Sequence, residues 1–352
     1  MKTSTFFAAA LVCCVGLTIA SEASANSWRV NYDKRANADF QDLNAAMADS
    51  RVSNGDTLYM DKGSTISAEQ SITKSVTVIG PGYFIGENDA DEAYFSNAIY
   101  IDAEGVKLTG LHTSDIFIRE NNAVIERCRV TGNITAQEKY ENDNAYICSC
   151  FLTGSITGQK ANGSDGWNVL NNIFYLSEFK TCIDQFDNIL IDHNTFNLQY
   201  YNYTPQAIGE SITNSIITNN IIFQGYGKSN PVRCANPELK NAINNNVSNY
   251  SFDDSESYPN NLIITNLKVT ELFKAIGSAS SDSYYNRVGY SDIDSYGTDG
   301  LACGVTNGGY PYVLHGYPLF VPRIENVSIV QQKEEYSYSE IRLRMTVKNQ
   351  NR

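Results

Sequence analysis

A repeat of 22 residues constrains the fold of this chain more than any other feature. Six segments share it, the first four at steps of 22 residues and the last two at steps of 26: AVIERCRV (123–130), AYICSCFL (145–152), WNVLNNIF (167–174), NILIDHNTF (188–196), SIITNNIIF (215–223) and AINNNVS (242–248). Within each segment, apolar residues flank one small or polar position, and the 3.6-residue period of an amphipathic helix does not appear. The repeat therefore predicts short strands that meet at a sharp bend.

The position inside the bend predicts how the repeats stack. In successive repeats it holds Cys128, Cys150, Asn172, Asn194, Asn220 and Asn246. A period near 22 is the right length for one three-stranded coil of a parallel β-helix. Equivalent residues of stacked coils lie about 4.8 Å apart, so their asparagine side chains can form a hydrogen-bonded ladder. We expect the two cysteines to be buried, stacked and unbridged, because side chains of parallel neighbours point the same way whereas a disulfide needs a dihedral near 90°.

These repeats resemble the right-handed parallel β-helix of the pectate-lyase-like superfamily. Four further segments resemble exported β-helix proteins of Gram-negative bacteria that carry no assigned activity: NGDTLYM (54–60), VTVIGPGYF (76–84), GTDGLACGVTNGGYPYVLHGYPLFVPRI (297–324) and IRLRMTVKNQ (341–350). The resemblance covers nearly the whole chain after its leader. It implies an all-β, right-handed, single-stranded parallel β-helix (pectin-lyase-like) with an N-terminal helical cap and a C-terminal irregular or β-hairpin cap. It implies chemistry only weakly, because one fold hosts many functions.

The expected organisation has four segments. They are a signal peptide (1–25), an N-terminal cap (26–55), the β-helix coils (56–270) and a C-terminal loop and strand cap (271–352). The leader has a lone Lys2, an apolar run and a small-residue cleavage site, so we expect an exported protein that is secreted, periplasmic or associated with the outer surface. The Cys13-Cys14 pair raises lipidation as an alternative, although no small residue directly precedes either cysteine.

Composition narrows the range of partners. The 352 residues include 26 Lys and Arg against 39 Asp and Glu, a net charge of −13. Nucleic acid is therefore an unsuitable partner, because phosphate binding needs a basic surface. No second apolar stretch is long enough to cross a membrane. We expect a monomer whose partner is a polysaccharide or cell-surface glycan, with no cofactor indicated other than calcium.

A column of aspartates is the candidate metal site. Asp143, Asp165 and Asp187 recur at steps of 22 residues in the turn before each strand. Three carboxylates stacked about 5 Å apart would repel one another unless a proton or a cation such as Ca²⁺ intervened. The alternative is a purely local role, since Asp-Asn and Asp-Gly pairs favour turns with left-handed backbone.

A second column carries the candidate catalytic groups. Steps of 22 and 26 residues place Asn162, Asp184 and Glu210 at one position of successive coils, with Lys180 on the same coil as Asp184. Two carboxylates at this separation suit a retaining glycosidase. A lysine with a depressed pKa could act as the base of a lyase. The set of calcium ligands that family lyases gather is incomplete here, so solvated surface carboxylates remain the default interpretation.

Tyrosines in a long coil are the candidate ligand-binding residues. Tyr200, Tyr201 and Tyr203 can stack on sugar rings, or they can simply cover the edge of the coil. Together, these patterns favour an exported β-helix surface protein without catalytic activity that contacts glycans or other surface polymers. The alternative is a polysaccharide lyase or glycoside hydrolase that acts on a complex polysaccharide, and a third hypothesis is a rigid surface spacer.

Overall fold

The fold was analysed in a computed structural model. It describes residues 25–85, 90–159, 164–176, 180–199, 205–225, 229–252, 254, 256–273, 280–282, 293–317, 323–335 and 338–348, the last two ranges as backbone only. The predicted signal peptide up to residue 24, Asn162 and the tyrosines Tyr200, Tyr201 and Tyr203 lie outside these residues.

Three parallel sheets run along the axis of the molecule. Sheet A contains Ser27–Val30, Thr57–Met60, Thr77–Ile79, Lys107–Thr109, Val124–Glu126, Tyr146–Cys148, Asn168–Leu170, Leu190–Asp192, Ile216–Thr218 and Ala242–Asn244. Sheet B contains Ser64–Ile66, Ala93–Phe95, His112–Thr113, Arg129–Val130, Phe151–Leu152, Ile173–Leu176, Thr195–Leu198, Ile221–Gln224, Val247–Ser248 and Leu262–Ile263. Sheet C contains Gln70–Ile72, Ile99–Ile101, Ile116–Ile118, Ile134–Ala136, Ile156–Thr157, Thr181–Asp184 and Gln206–Ile208.

Each coil visits the three sheets in the same order. One coil places Val124–Glu126 in sheet A, Arg129–Val130 in sheet B and Ile134–Ala136 in sheet C. The next coil repeats this path, and its Ile147 pairs with Ile125 in parallel register. The architecture is therefore a right-handed parallel β-helix, which confirms the fold class predicted from the repeat.

The core fills the inside of the coils with stacked apolar columns. In sheet A, Ile125, Ile147 and Val169 occupy one inward column and are fully buried. In sheet B, the rings of Phe174 and Phe196 stack with centroids 4.7 Å apart and planes only 11° apart. Because strand side chains alternate between the two faces, every inward residue on a coil leaves its neighbours facing outward.

The bend between sheets A and B is held by buried asparagine side chains. Each side-chain oxygen accepts the backbone N–H of the asparagine one coil earlier: Asn172 to Asn194 (2.9 Å), Asn194 to Asn220 (2.8 Å), Asn220 to Asn246 (3.1 Å) and Asn246 to Asn261 (3.0 Å). The side-chain amide of each donates to the same oxygen at 2.9–3.0 Å. Asn261, which follows its predecessor by 15 residues, was not foreseen from the repeat.

A short helix covers the start of the coils. Leu43–Ala48 is helical, within the range 39–50 where the apolar spacing predicts a helix, and it buries Leu43, Ala46 and Met47. Asp42 caps it by accepting the Ala45 N–H at 2.7 Å, and the Gln70 side chain of sheet C accepts the Leu43 N–H at 2.9 Å. Sheet A already begins inside the segment expected as the cap, at Ser27–Val30.

Residues 296–317, here called the strap, run back along the bend from the late coils to an early one. The hydrogen bonds of the strap to successive coils include Asn245 Nδ2 to the Tyr296 carbonyl (2.7 Å), the Thr298 N–H to Asn219 Oδ1 (2.8 Å), Ser149 Oγ to the Tyr310 carbonyl (2.8 Å) and the Tyr83 N–H to the His315 carbonyl (2.8 Å). The strap passes so close that a Cβ on Gly308 would lie 2.7 Å from the His193 ring. It therefore covers the outer face of sheet B.

Shorter elements complete the described chain. Helix Val269–Leu272 and the 3₁₀ turns Lys34–Ala36, Pro237–Leu239 and Leu314–Gly316 lie outside the sheets, and Phe186–Asp187 pairs with Ile212–Thr213 at a turn. Beyond the strap, Arg323–Glu335 and Tyr338–Lys348 form an antiparallel hairpin. This pairing confirms the two C-terminal strands predicted from alternating apolar residues.

Cys128 and Cys150, which precede the asparagines in the bend, are fully buried and unbridged, as predicted. Their thiols donate to backbone carbonyls, Cys128 to Glu126 at 3.3 Å and Cys150 to Cys148 at 3.4 Å. Burial raises the pKa of the Cys128 thiol to about 12, so it stays protonated at neutral pH. Small apolar side chains with a weak donor thus take the place of asparagine on these coils.

Replacing a buried asparagine of the bend should be costly. We expect Asn194→Ala to lower the free energy of unfolding by about 3 kcal/mol, because the Asn172 N–H and the Val169 carbonyl would lose their partners in a buried site. Urea unfolding measures the change. The control is Asn260→Ala, an exposed position where a change within about 0.5 kcal/mol is expected. Equal effects of the two substitutions would contradict this role.

The cysteines can be tested by thiol titration. All six cysteines of the described chain are buried and free, so we expect six reactive thiols per chain after denaturation without reductant. The native protein should react slowly, because a protonated, buried thiol is a poor nucleophile. Fewer than six thiols, together with a peptide joining residues 128 and 150, would show that the bend is oxidised.

Candidate functional site

The outer face of sheet C gathers side chains suited to binding. On successive strands, the partly exposed outward position is occupied by Tyr100, Phe117, Thr135, Thr157 and Asp184. The strand register places each of these residues beside the next one. Two aromatic rings, two hydroxyl groups and a carboxylate therefore form one column along the surface.

Aromatic rings and one arginine form a platform at the early end of this column. The rings of Tyr100 and Phe117 stack with centroids 5.1 Å apart and planes 14° apart. The Arg119 guanidinium carbon lies 4.1 Å from the centre of the Tyr100 ring and 5.4 Å from the centre of the Tyr140 ring. We call Tyr100, Phe117, Arg119 and Tyr140 the aromatic platform.

The charges of the platform are balanced locally. Arg119 forms an ion pair with Asp102 at 2.9 Å, and Asp102 also accepts the hydroxyl of Ser71. Burial and the nearby Glu69 carboxylate raise the pKa of Tyr100, so its phenol stays neutral and can donate a hydrogen bond. The platform therefore offers aromatic faces and polar edges, and its positive charge is already paired.

A cavity of about 560 Å³ lies beside the platform. The side chains that line it include Thr135, Gln137, Tyr140, Thr157, Gln159 and Gln185. Gln159 is only 8% exposed, and its Nε2 donates to the Ala136 carbonyl at 2.6 Å, while its Oε1 has no hydrogen-bond partner. An unpaired buried acceptor costs roughly 1–3 kcal/mol, which a hydroxyl or N–H of a ligand could recover.

The predicted catalytic residues are not brought together as expected. Sheet C pairs Ile183 with Ile208, a step of 25 residues, so Gly209 and not Glu210 lies opposite Asp184. One Asp184 oxygen accepts the Ser211 N–H at 3.0 Å, and a Cβ on Gly209 would lie 2.2 Å from the Asp184 carboxyl carbon. Glu210 is exposed, and Lys180 is half-buried just before its strand. Their catalytic role stays a prediction.

The aspartate column forms hydrogen bonds that belong to turns. Asp143 Oδ1 accepts the Ser164 and Asp165 N–H groups at 3.0 and 2.9 Å. Asp165 accepts the Asn188 amide at 2.7 Å, and Asp187 accepts the Asn214 amide at 2.6 Å. Across the described residues, no group of three or more His, Cys, Asp or Glu side chains could hold a metal ion. Calcium binding by these residues stays a prediction.

Sequence reasoning missed the aromatic platform, although a local signal was present. IYI (99–101) and IFI (116–118) each place an aromatic residue between two isoleucines, which in a strand puts the aromatic ring on the opposite face. These strands pair at a step of 17 residues, from Ile99 to Ile116, which the 22-residue repeat does not reveal.

Comparison with known proteins adds no relative. No family model matches the sequence, and no curated protein or solved structure matches it significantly. In the part of the chain that the structure describes, no helix is long and apolar enough to cross a membrane.

Calcium addition can separate the two roles of the aspartates. If they serve the turns, Asp143→Asn should change the free energy of unfolding by no more than about 0.5 kcal/mol, because an amide oxygen can accept the same backbone N–H groups. Calcium chloride should then leave the melting temperature of both proteins unchanged, with magnesium chloride as the control for ionic strength. A calcium-dependent rise in the wild type that Asp143→Asn abolishes would support a metal site instead.

Proposed function

We propose that this protein is an exported β-helix of the pectate-lyase-like type that binds glycans on the outer face of sheet C without cleaving them. The observation that carries the proposal is the stacked pair Tyr100 and Phe117 beside a polar cavity with an unpaired acceptor on Gln159. The signal-like leader, which lies outside the described residues, supports export.

The chemistry of this face is that of sugar recognition. Aromatic rings present flat apolar surfaces on which the C–H face of a sugar can lie, and they lose little conformational freedom when bound. The hydroxyl groups of Thr135 and Thr157 and the amide of Gln159 can exchange hydrogen bonds with sugar hydroxyls. A few polar groups that converge beside an apolar wall are typical of a ligand site.

The shape of the face favours a polymer over a single sugar. Four strand spacings separate Tyr100 from Asp184 along the outward column, which corresponds to about 19 Å at about 4.8 Å per strand. The cavity opens beside this column at Thr135 and Thr157. An extended chain could therefore contact the platform with one sugar and the cavity with another.

Charge favours a neutral glycan. The chain carries a net charge of −13, which disfavours the approach of a polyanion. Arg119 is already paired with Asp102, so it offers little attraction to a uronate.

Catalysis is the alternative function, and one observation keeps it testable. Asp184 lies on the same outward column as the platform, where a bound glycan would pass. Its oxygen already accepts a backbone N–H, and Glu210 is not opposite it. These contacts favour a structural role for Asp184.

The platform can be tested by substitution. We expect Phe117→Ala to weaken binding of a neutral polysaccharide about three- to tenfold, because an aromatic contact contributes about 0.5–1.5 kcal/mol. Gln159→Met should weaken it further by removing the unpaired acceptor. A glycan array would identify the ligand, and calorimetry would measure affinity. The matched control is Tyr146→Ala, which removes an aromatic ring that is 38% exposed on sheet A.

Two outcomes would count against this function. Absence of binding to plant, host and bacterial glycans, or equal affinity of Phe117→Ala and wild type, would refute the site. Release of reducing ends or of unsaturated products, lost in Asp184→Ala, would support the lyase or hydrolase alternative instead.

A further inference from the structure

A cluster of polar groups is buried where the strap meets an early coil, away from sheet C. The hydroxyl groups of Tyr83 and Tyr312 lie 2.5 Å apart. Tyr312 also donates to Asp282 Oδ2 at 3.1 Å, and the same oxygen accepts the His315 N–H at 2.6 Å. Tyr83 and Asp282 are fully buried, whereas the His315 ring is one-third exposed. Four side chains that can bind metals thus converge from three parts of the chain.

Two atoms in this cluster lack partners. Asp282 Oδ1 and His315 Nδ1 have no hydrogen bond, although they lie only 3.8 Å apart. This separation is too long for a hydrogen bond. It matches the distance between two ligands of a shared ion, since two donors each about 2.1 Å from a metal lie roughly 3 to 4 Å apart. An ion between them would pair both atoms.

We propose that Tyr83, Tyr312, Asp282 and His315 form a binding site for iron(III). Phenolate and carboxylate oxygens are hard donors, and imidazole is a common iron ligand. The set contains two of the residue types that most often hold metals, Asp and His, and its other two donors are phenols.

Charge balance favours a trivalent ion over a divalent one. Binding would release one proton from each phenol, while the carboxylate stays ionised and the imidazole stays neutral. Two phenolates and one carboxylate carry three negative charges, which one iron(III) neutralises without any change of oxidation state. A divalent ion would leave a net negative charge in a buried site, which is costly. The exposed side of His315 gives the ion a route in.

A purely structural network is the competing explanation. It accounts for the contact between the two phenols and for the bond from Tyr312 to Asp282. It leaves a fully buried carboxylate oxygen unpaired, which costs about 1–3 kcal/mol or more. Bound iron accounts for the converging donors and for both unpaired atoms.

The test is iron binding by the full chain. After incubation with ferric nitrilotriacetate and gel filtration, we expect one iron per chain by elemental analysis and a visible phenolate-to-iron charge-transfer band. Tyr312→Phe and Tyr83→Phe, which remove only a hydroxyl, should lose or shift this band. The matched control is Tyr175→Phe, since Tyr175 packs against the same apolar cluster but lies outside the four ligands. Iron should also raise the melting temperature of the wild type.

Several results would overturn the site. These are iron that is not retained, a band that persists in both phenylalanine variants, and retention of zinc(II) in place of iron(III). Circular dichroism without iron checks that each variant folds. If both phenylalanine variants fail to fold, His315→Ala gives the same test at a partly exposed position, and unchanged iron binding there would refute the assignment. None of these results depends on glycan binding at sheet C.

Discussion

Parallel hydrogen bonding between successive coils is the interaction on which the rest of the structure depends. It aligns equivalent residues of neighbouring coils, such as Ile125 and Ile147, at a fixed spacing. One favourable contact is thereby repeated in every coil. Buried isoleucines form the core, asparagines form the bend, and outward residues form the face of sheet C. A site on this scaffold is a column of residues that lie far apart in sequence.

The bend shows how this alignment satisfies buried backbone groups. A sharp turn leaves N–H and C=O groups without strand partners, and burial makes such groups costly. Asn194 pairs with both neighbouring coils, so one residue type solves the problem at each level. The residues just before it in the turn, among them Asn171 and Asn219, adopt left-handed backbone and turn their side chains toward the strap. The two faces of the bend thus serve different layers of the structure.

The sequence predicts the fold class where the coil length is constant. The inward residues and the bend asparagines recur at steps of 22 and 26, and their stacking follows directly. It fails where a loop changes length between strands. The step from Ile156 to Ile183 is 27 residues and the next is 25, so a constant step misaligns Glu210. The aromatic platform lies on early coils with shorter steps, and the strap has no period. These features follow from tertiary packing, which no local pattern encodes.

The strap changes how the molecule can come apart. In most solenoids each repeat contacts only its neighbours, so the terminal repeats can fray independently. Here one segment bonds to Asn245 near the end of the stack and to Tyr83 near its start. Loss of a terminal coil therefore also disturbs contacts many coils away. The protein should melt as a single cooperative unit, with the mechanical character of a bound sheaf and not of a stack of loose rings.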